Sequence, residues 1–183
     1  MKRSIVIISI FVVLAMVVSG CIGDEIVNTE TPTPTVQPNP DMPEGDSIPF
    51  DVGVRVNIRH SDYENARSLW LVTSYEQLRS IYNNDSNPNA INYIQNYNEE
   101  FFEENALVVL FIRESISSGI GYQINSLIKN DNELYVGITR IRPTGLLTSN
   151  EANWRILIEV RQSDVAGVET LNYVIHEIDV PEN

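Results

Sequence analysis

A single cysteine, Cys21, has the most distinctive chemical setting in this chain. The small residues Ser19–Gly20 precede it, and before them an apolar run over residues 5–18 follows the basic pair Lys2–Arg3. Small residues let a peptidase approach the backbone closely, and a thiol supplies a nucleophile for modification. Because the chain has no second cysteine, an intramolecular disulfide is impossible.

Residues 1–20 have the layout of a secretory signal peptide, which is excluded from the folded domain. A helix over residues 5–18 would be about 21 Å long, whereas the hydrocarbon core of a bilayer is about 30 Å thick. The run is therefore short for a permanent span. Extension of the helix to Ile22 gives about 27 Å, so an uncleaved anchor remains an alternative.

The sequence Val18-Ser19-Gly20-Cys21 resembles the lipobox of prokaryotic lipoproteins. This resemblance implies that the Cys21 thiol carries a lipid and that the chain is cut just before it. It also implies a protein held at the outer face of the cytoplasmic membrane or at the cell surface. The alternative of a buried core cysteine is disfavoured, since Asp24 and Glu25 follow almost at once.

Residues 21–49 are expected to form a disordered linker. Six of the nine prolines lie between Pro32 and Pro49, and the segment has few apolar side chains that could offset the entropy of ordering. An extended proline-rich chain rises about 3.1 Å per residue and suits a spacer. The remaining residues 50–183 have the length of one domain with a real core.

The formal net charge is −13, and it becomes −15 when Lys2 and Arg3 leave with the signal peptide. A negative field of this size disfavours binding to nucleic acid. The sequence Asn84-Asp85-Ser86 is an N-glycosylation motif in a predicted loop, so Asn84 is a candidate modification site.

Alternation of apolar and polar residues predicts an α+β domain with a mainly antiparallel sheet of about seven strands and two short helices inserted early. Most strands are expected to follow one another as hairpins. The first should place Val52, Val54, Val56 and Ile58 on one face. The predicted strands cover residues 51–59, 68–73, 106–112, 122–129, 133–142, 153–161 and 171–180.

Local signals mark the turns between these strands. Ser74 with Gln77 has the spacing of a capping box at the start of a helix. A second short helix is expected around Ile91 and Ile94. The segment 130–132, Asn-Asp-Asn, consists of residues that tolerate positive φ and predicts a hairpin.

Three further segments show a resemblance: Phe101-Phe-Glu-Glu-Asn-Ala-Leu-Val-Val-Leu-Phe, the loop Ser117-Ser-Gly-Ile-Gly-Tyr-Gln-Ile, and Asn153-Trp-Arg-Ile-Leu-Ile-Glu-Val. Together they are similar to the carboxy-terminal domain of PrcB-like protease-complex subunits and related uncharacterised lipoproteins, over residues 98–178. The resemblance implies a non-catalytic accessory domain that associates with a surface protease. It carries over no catalytic residues.

The residues themselves favour no enzyme. A triad or zinc site would have to join His60 and His176, the only two histidines, with a third partner. The glutamates at 99, 100, 103 and 104 are expected to form a solvated face, and residues 130–133 lack the spacing of a calcium loop. No cofactor or metal site is predicted.

Two loops are the candidate recognition site, because loops at the ends of a sheet often carry binding. Their candidate residues are Ser117, Ser118, Gly119, Gly121, Tyr122, Arg142, Pro143, Leu146 and Leu147.

The leading hypothesis is a membrane-anchored binding domain whose partner is another extracytoplasmic protein. The alternative is a small-ligand or glycan-binding lipoprotein with an aromatic pocket around Trp70, Tyr122 or Trp154. A hydrolase is the third hypothesis, and it requires the two histidines to meet acidic neighbours.

Overall fold

Eight strands and three short helical segments form the described part of this computed structural model, which covers residues 41–58, 67–83, 90–114, 119–145 and 152–181. All of it lies within the unit Thr35–Asn183. The strands are β1 (Asp46–Ser47), β2 (Asp51–Ile58), β3 (Arg67–Val72), β4 (Asn105–Glu114), β5 (Gly121–Asn130), β6 (Glu133–Pro143), β7 (Ala152–Arg161) and β8 (Thr170–Val180). The helices are α1 (Tyr75–Asn83), a 3₁₀ helix (Ala90–Ile94) and α2 (Phe101–Glu104). No helix among the described residues is long and apolar enough to cross a membrane.

The strands form two four-stranded sheets, which confirms a mainly β domain with few helices. The strand order is β1-β5-β6-β8 in one sheet and β2-β7-β4-β3 in the other. All described pairs are antiparallel except β6 and β8, which are parallel. The expectation that most strands follow one another as hairpins is therefore wrong.

The parallel pair results from a crossover between the sheets. Residues 162–169 carry the chain from the end of β7 to the turn that joins β5 and β6, where the Glu169 N–H donates to the Asn132 carbonyl at 2.8 Å. Strand β8 therefore starts beside the start of β6, with Thr170 opposite Glu133. The β5–β6 turn is the predicted hairpin, and Asp131 has a φ of 53°.

Strand β4 is buried on both of its faces, which explains the continuous apolar run over residues 106–112. One face joins the core between the sheets, and the other packs under α1, the 3₁₀ helix and α2. The core between the sheets includes Val108, Leu110, Tyr122, Leu127, Leu134, Val136, Ile138, Ile156 and Ile158. The core under the helices includes Leu78, Tyr82, Ile94, Tyr97, Phe102, Leu107, Val109, Phe111 and Leu157.

Arg155 is a charged residue within the core under the helices, where it is only 1 % exposed. Its guanidinium carbon lies 4.9 Å from the ring centre of Phe111 and 5.6 Å from that of Tyr82. These cation–π contacts, which are strongest where water is excluded, give the buried charge a favourable environment. Simple alternation along β7 predicts only that Arg155 faces away from the other sheet.

Strand β2 does not keep its valines on one face. The register shifts between Val52 and Val54, so Val52 lies opposite Ile158 whereas Val54 lies opposite Leu157. Paired residues of an antiparallel sheet share a face, and these two partners belong to different cores. The β-bulge thus places Val52 on the opposite face from Val54. Val52 is exposed on this edge strand.

The folded domain begins before the predicted boundary at Phe50. Asp46 and Ser47 pair with Lys129 and Ile128 of β5, and Ile48 is buried between the sheets. A two-residue strand flanked by prolines has too little alternation to be seen in the sequence.

The predicted start of α1 is observed with one change of partner. The Gln77 N–H donates to Ser74 Oγ at 3.3 Å, as in a capping box, but Gln77 Oε1 accepts from the Thr73 N–H at 2.9 Å.

Candidate functional site

The described ends of the two predicted recognition loops lie together, Gly119 from one loop beside Pro143 from the other. Gly119, which precedes β5, has a φ of 77°, and a Cβ built on it would lie 2.8 Å from Cγ of Pro143 at the end of β6. Gly121 lies opposite Ile141 in the β5–β6 pair. We call the group Gly119, Gly121, Tyr122, Arg142 and Pro143 the loop corner. The other candidates, Ser117, Ser118, Leu146 and Leu147, fall outside the described residues.

Tyr122 supports the loop corner from inside and is not a contact residue. Its side chain is 1 % exposed, and its ring meets that of Trp154 edge-on at 6.0 Å. Arg55 Nη1 also donates to the Tyr122 carbonyl at 3.0 Å, which ties β5 to β2 across the two sheets. The expectation that Tyr122 contributes its side chain to a recognition loop is therefore corrected.

The arginines near the loop corner are held by carboxylates of the parallel strand. Arg142 donates to both carboxylate oxygens of Asp179, through Nε at 2.8 Å and Nη2 at 3.2 Å, and Arg140 pairs with Glu177 at 2.9 Å. The hydrogen bond from Arg142 lowers the pKa of Asp179, and the same bond raises the pKa of Arg142. A guanidinium has five N–H donors. Two of them hold Arg142 in place on Asp179, and the remaining donors are available to a binding partner.

The histidines do not define a site in the described residues. His176 is half-buried on the outer face of its sheet, opposite Thr139, and His60 falls outside the described residues. Within the described ranges, no group of three or more His, Cys, Asp and Glu side chains is arranged to hold a metal ion. Cys21 and Asn84 also fall outside those ranges.

The aromatic residues suggested for a glycan site do not face one common cavity. Tyr122 and Trp154 belong to the core between the sheets, whereas Trp70 packs edge-on against Phe111 in the core under the helices, at 5.0 Å. Trp70 and Trp154 are half-buried. The three rings therefore do not form one aromatic pocket.

A buried phenol hydroxyl lies at the opposite end of β7 from the loop corner. Tyr97 donates to Glu159 Oε1 at 2.8 Å beneath the bulge at Gly53, where any Cβ would collide with both groups. Burial, followed by the hydrogen bond to Glu159, raises the pKa of Tyr97 far above its usual value. The phenol therefore stays protonated and has a structural role.

A groove at this opposite end, the turn end, was missed by sequence analysis. It has a volume of about 750 Å³ and lies where the end of β3, helix α2 and the crossover between β7 and β8 meet. Its lining residues are Leu71, Thr73, Glu103, Glu104, Arg161, Gln162, Ser163, Val165, Ala166, Gly167 and Val168. Because they come from three separate segments, no local motif marks the groove.

No protein-family model, curated protein or solved structure matches this chain.

Proposed function

We propose that this protein is a lipoprotein held by a lipid on Cys21 at the outer face of the cytoplasmic membrane or at the cell surface. Its β domain binds another extracytoplasmic protein and is not an enzyme. The lipobox-like sequence around Cys21, the signal-peptide layout of residues 1–20 and the proline-rich linker support the anchoring. The strongly negative net charge speaks against nucleic acid as the partner.

The observation that carries the binding role is the contact between Gly119 and Pro143. It joins the described ends of two loops that the sequence suggests separately, one at the start of β5 and the other at the end of β6. Sites of this kind, with loops positioned by a scaffold, are typical of protein recognition. The pair Arg142–Asp179 adds an oriented guanidinium beside them, and arginine is enriched in protein interfaces.

The resemblance to PrcB-like subunits supports a surface protease as the partner. Under this proposal the domain is an accessory that holds or positions the protease, so the catalytic residues belong to the protease.

Site-specific photo-crosslinking in native membranes tests the binding role. Thr144, which is exposed and follows Pro143, is replaced by a photoreactive phenylalanine, and exposed Ile91 in the 3₁₀ helix, which lies outside the loop corner and the turn-end groove, is the matched control. We expect one discrete adduct at Thr144 and none of the same size at Ile91. Equal adducts at both positions, or no adduct at Thr144, would show that the loop corner is not the binding surface.

A further inference from the structure

The turn-end groove has an apolar floor and a polar rim. Leu71, Val165 and Val168 supply aliphatic side chains that also pack against the core between the sheets, and Val165 is 2 % exposed. A volume of about 750 Å³ lies within the range of about 300–1,000 Å³ that binding pockets occupy. Leu71 and Val168 are half-buried and leave apolar surface on which other apolar side chains can pack.

Hydrogen bonds hold the walls of the groove in place. The Gln162 N–H donates to the Glu104 carbonyl at 2.8 Å, and Gln162 Nε2 donates to the Thr73 carbonyl at 3.2 Å. On the other side, Lys129 Nζ donates to the Ala166 carbonyl at 2.6 Å. A groove with fixed walls loses little conformational entropy when it is filled, which favours binding.

The charge of the rim is unbalanced. Arg161 pairs with Asp164 at 3.0 Å, and the Lys129 ammonium is held at the Ala166 carbonyl. Glu103 and Glu104 are exposed and form no ion pair with another described residue. Two carboxylates that are free to pair with a partner therefore stand beside an aliphatic floor. At Gly167 no atom lies within 4 Å of a Cβ position, so the rim is open there.

We propose that the turn-end groove binds a short segment of a partner protein in which lysine or arginine residues alternate with aliphatic residues. The aliphatic side chains pack on Leu71 and Val168, and the basic side chains pair with Glu103 and Glu104 at the solvent-exposed rim. Exposed carboxylates add charge complementarity, and hence specificity, without the cost of burying an ion. The groove lies at the opposite end of the sandwich from the loop corner, so this binding does not depend on the proposed function.

Fluorescence anisotropy with a labelled peptide tests the inference on the full-length chain in non-ionic detergent. The probe is Leu-Lys-Val-Arg-Leu-Lys; the same peptide with glutamate at its basic positions tests charge, and one with glycine at its aliphatic positions tests the apolar floor. The double variant E103Q/E104Q removes the rim charge. The matched control E99Q/E100Q removes the same charge from exposed glutamates that do not line the groove.

We expect E103Q/E104Q to weaken binding of the basic peptide about tenfold, since two exposed ion pairs contribute up to about tenfold together. E99Q/E100Q should change it less than about twofold because of charge screening. The variant A166W, which fills the groove but keeps its charge, should abolish binding. A basic peptide that does not bind, equal effects of the two glutamine pairs, or equal binding of either control peptide would overturn the proposal.

Discussion

The contact between Gly119 and Pro143 can be tested with two glycines that share one backbone conformation. Gly119 and Gly167 both have a φ of 77°. An alanine in the left-handed region costs about 1–2 kcal/mol relative to an ordinary conformation. At Gly167 a Cβ meets no atom within 4 Å, so G167A should lower the free energy of unfolding by only this amount.

At Gly119 the added Cβ lies 2.8 Å from Cγ of Pro143, and 3.6 Å and 3.7 Å from Cδ and Cβ of the same ring. A contact under 3.0 Å forces the ring to move, and overpacking of this kind costs about 1–3 kcal/mol. G119A should therefore lower the free energy of unfolding by about 2–5 kcal/mol. The difference between the two variants isolates the contact between the loops.

Urea unfolding measures both losses. With an m-value of about 2 kcal/mol/M, the midpoint should fall by about 0.5–1 M for G167A and by about 1–2.5 M for G119A. The variant P143A removes Cγ, so G119A should cost at least about 1 kcal/mol less in that background. Equal midpoint shifts for the two glycine variants would refute the contact. So would a loss of unfolding free energy from G119A that is the same in the P143A background as in the wild type.

Two further predictions concern single hydrogen bonds. Y97F should lower the free energy of unfolding by about 1–2 kcal/mol, because Glu159 loses the donor that lies 2.8 Å away; unchanged thermal and urea unfolding would contradict this. Arg142 lowers the pKa of Asp179 in the folded state. The unfolded state therefore binds the proton more readily. The stabilisation is present above the usual aspartate pKa of about 3.9 and is lost as the pH falls below it. Unfolding of the wild type should therefore become easier as the pH falls below about 4, more steeply than that of D179N, and parallel pH profiles would rule out the role of this pair.

The strands of the domain are largely predictable because their periodicity is local. Residues 106–112 form a continuous apolar run, which is typical of a strand buried on both faces. Strand β4 is buried in this way. The Asn-Asp-Asn hairpin is equally local, since Asp131 takes positive φ. In contrast, Gly53 conceals a bulge, and the alternation on either side of it cannot reveal which face each valine joins.

Long-range placement could not be predicted from the sequence. The parallel pairing of β8 with β6 depends on the crossover between the sheets. At its end the Glu169 N–H donates a hydrogen bond to the Asn132 carbonyl. The turn-end groove depends on the same crossover, which brings Val165 and Val168 to Leu71. In the loop corner, the sequence indicated both loops, but the burial of Tyr122 follows from its packing on Trp154 across the two sheets.

The most direct test of a lipid-anchored binding domain is the mass of the amino-terminal peptide of the protein extracted from membranes. We expect this peptide to begin at Cys21 and to carry the added mass of a lipid on its sulfur. A peptide that begins at Met1 and contains an unmodified Cys21 thiol would contradict lipid anchoring.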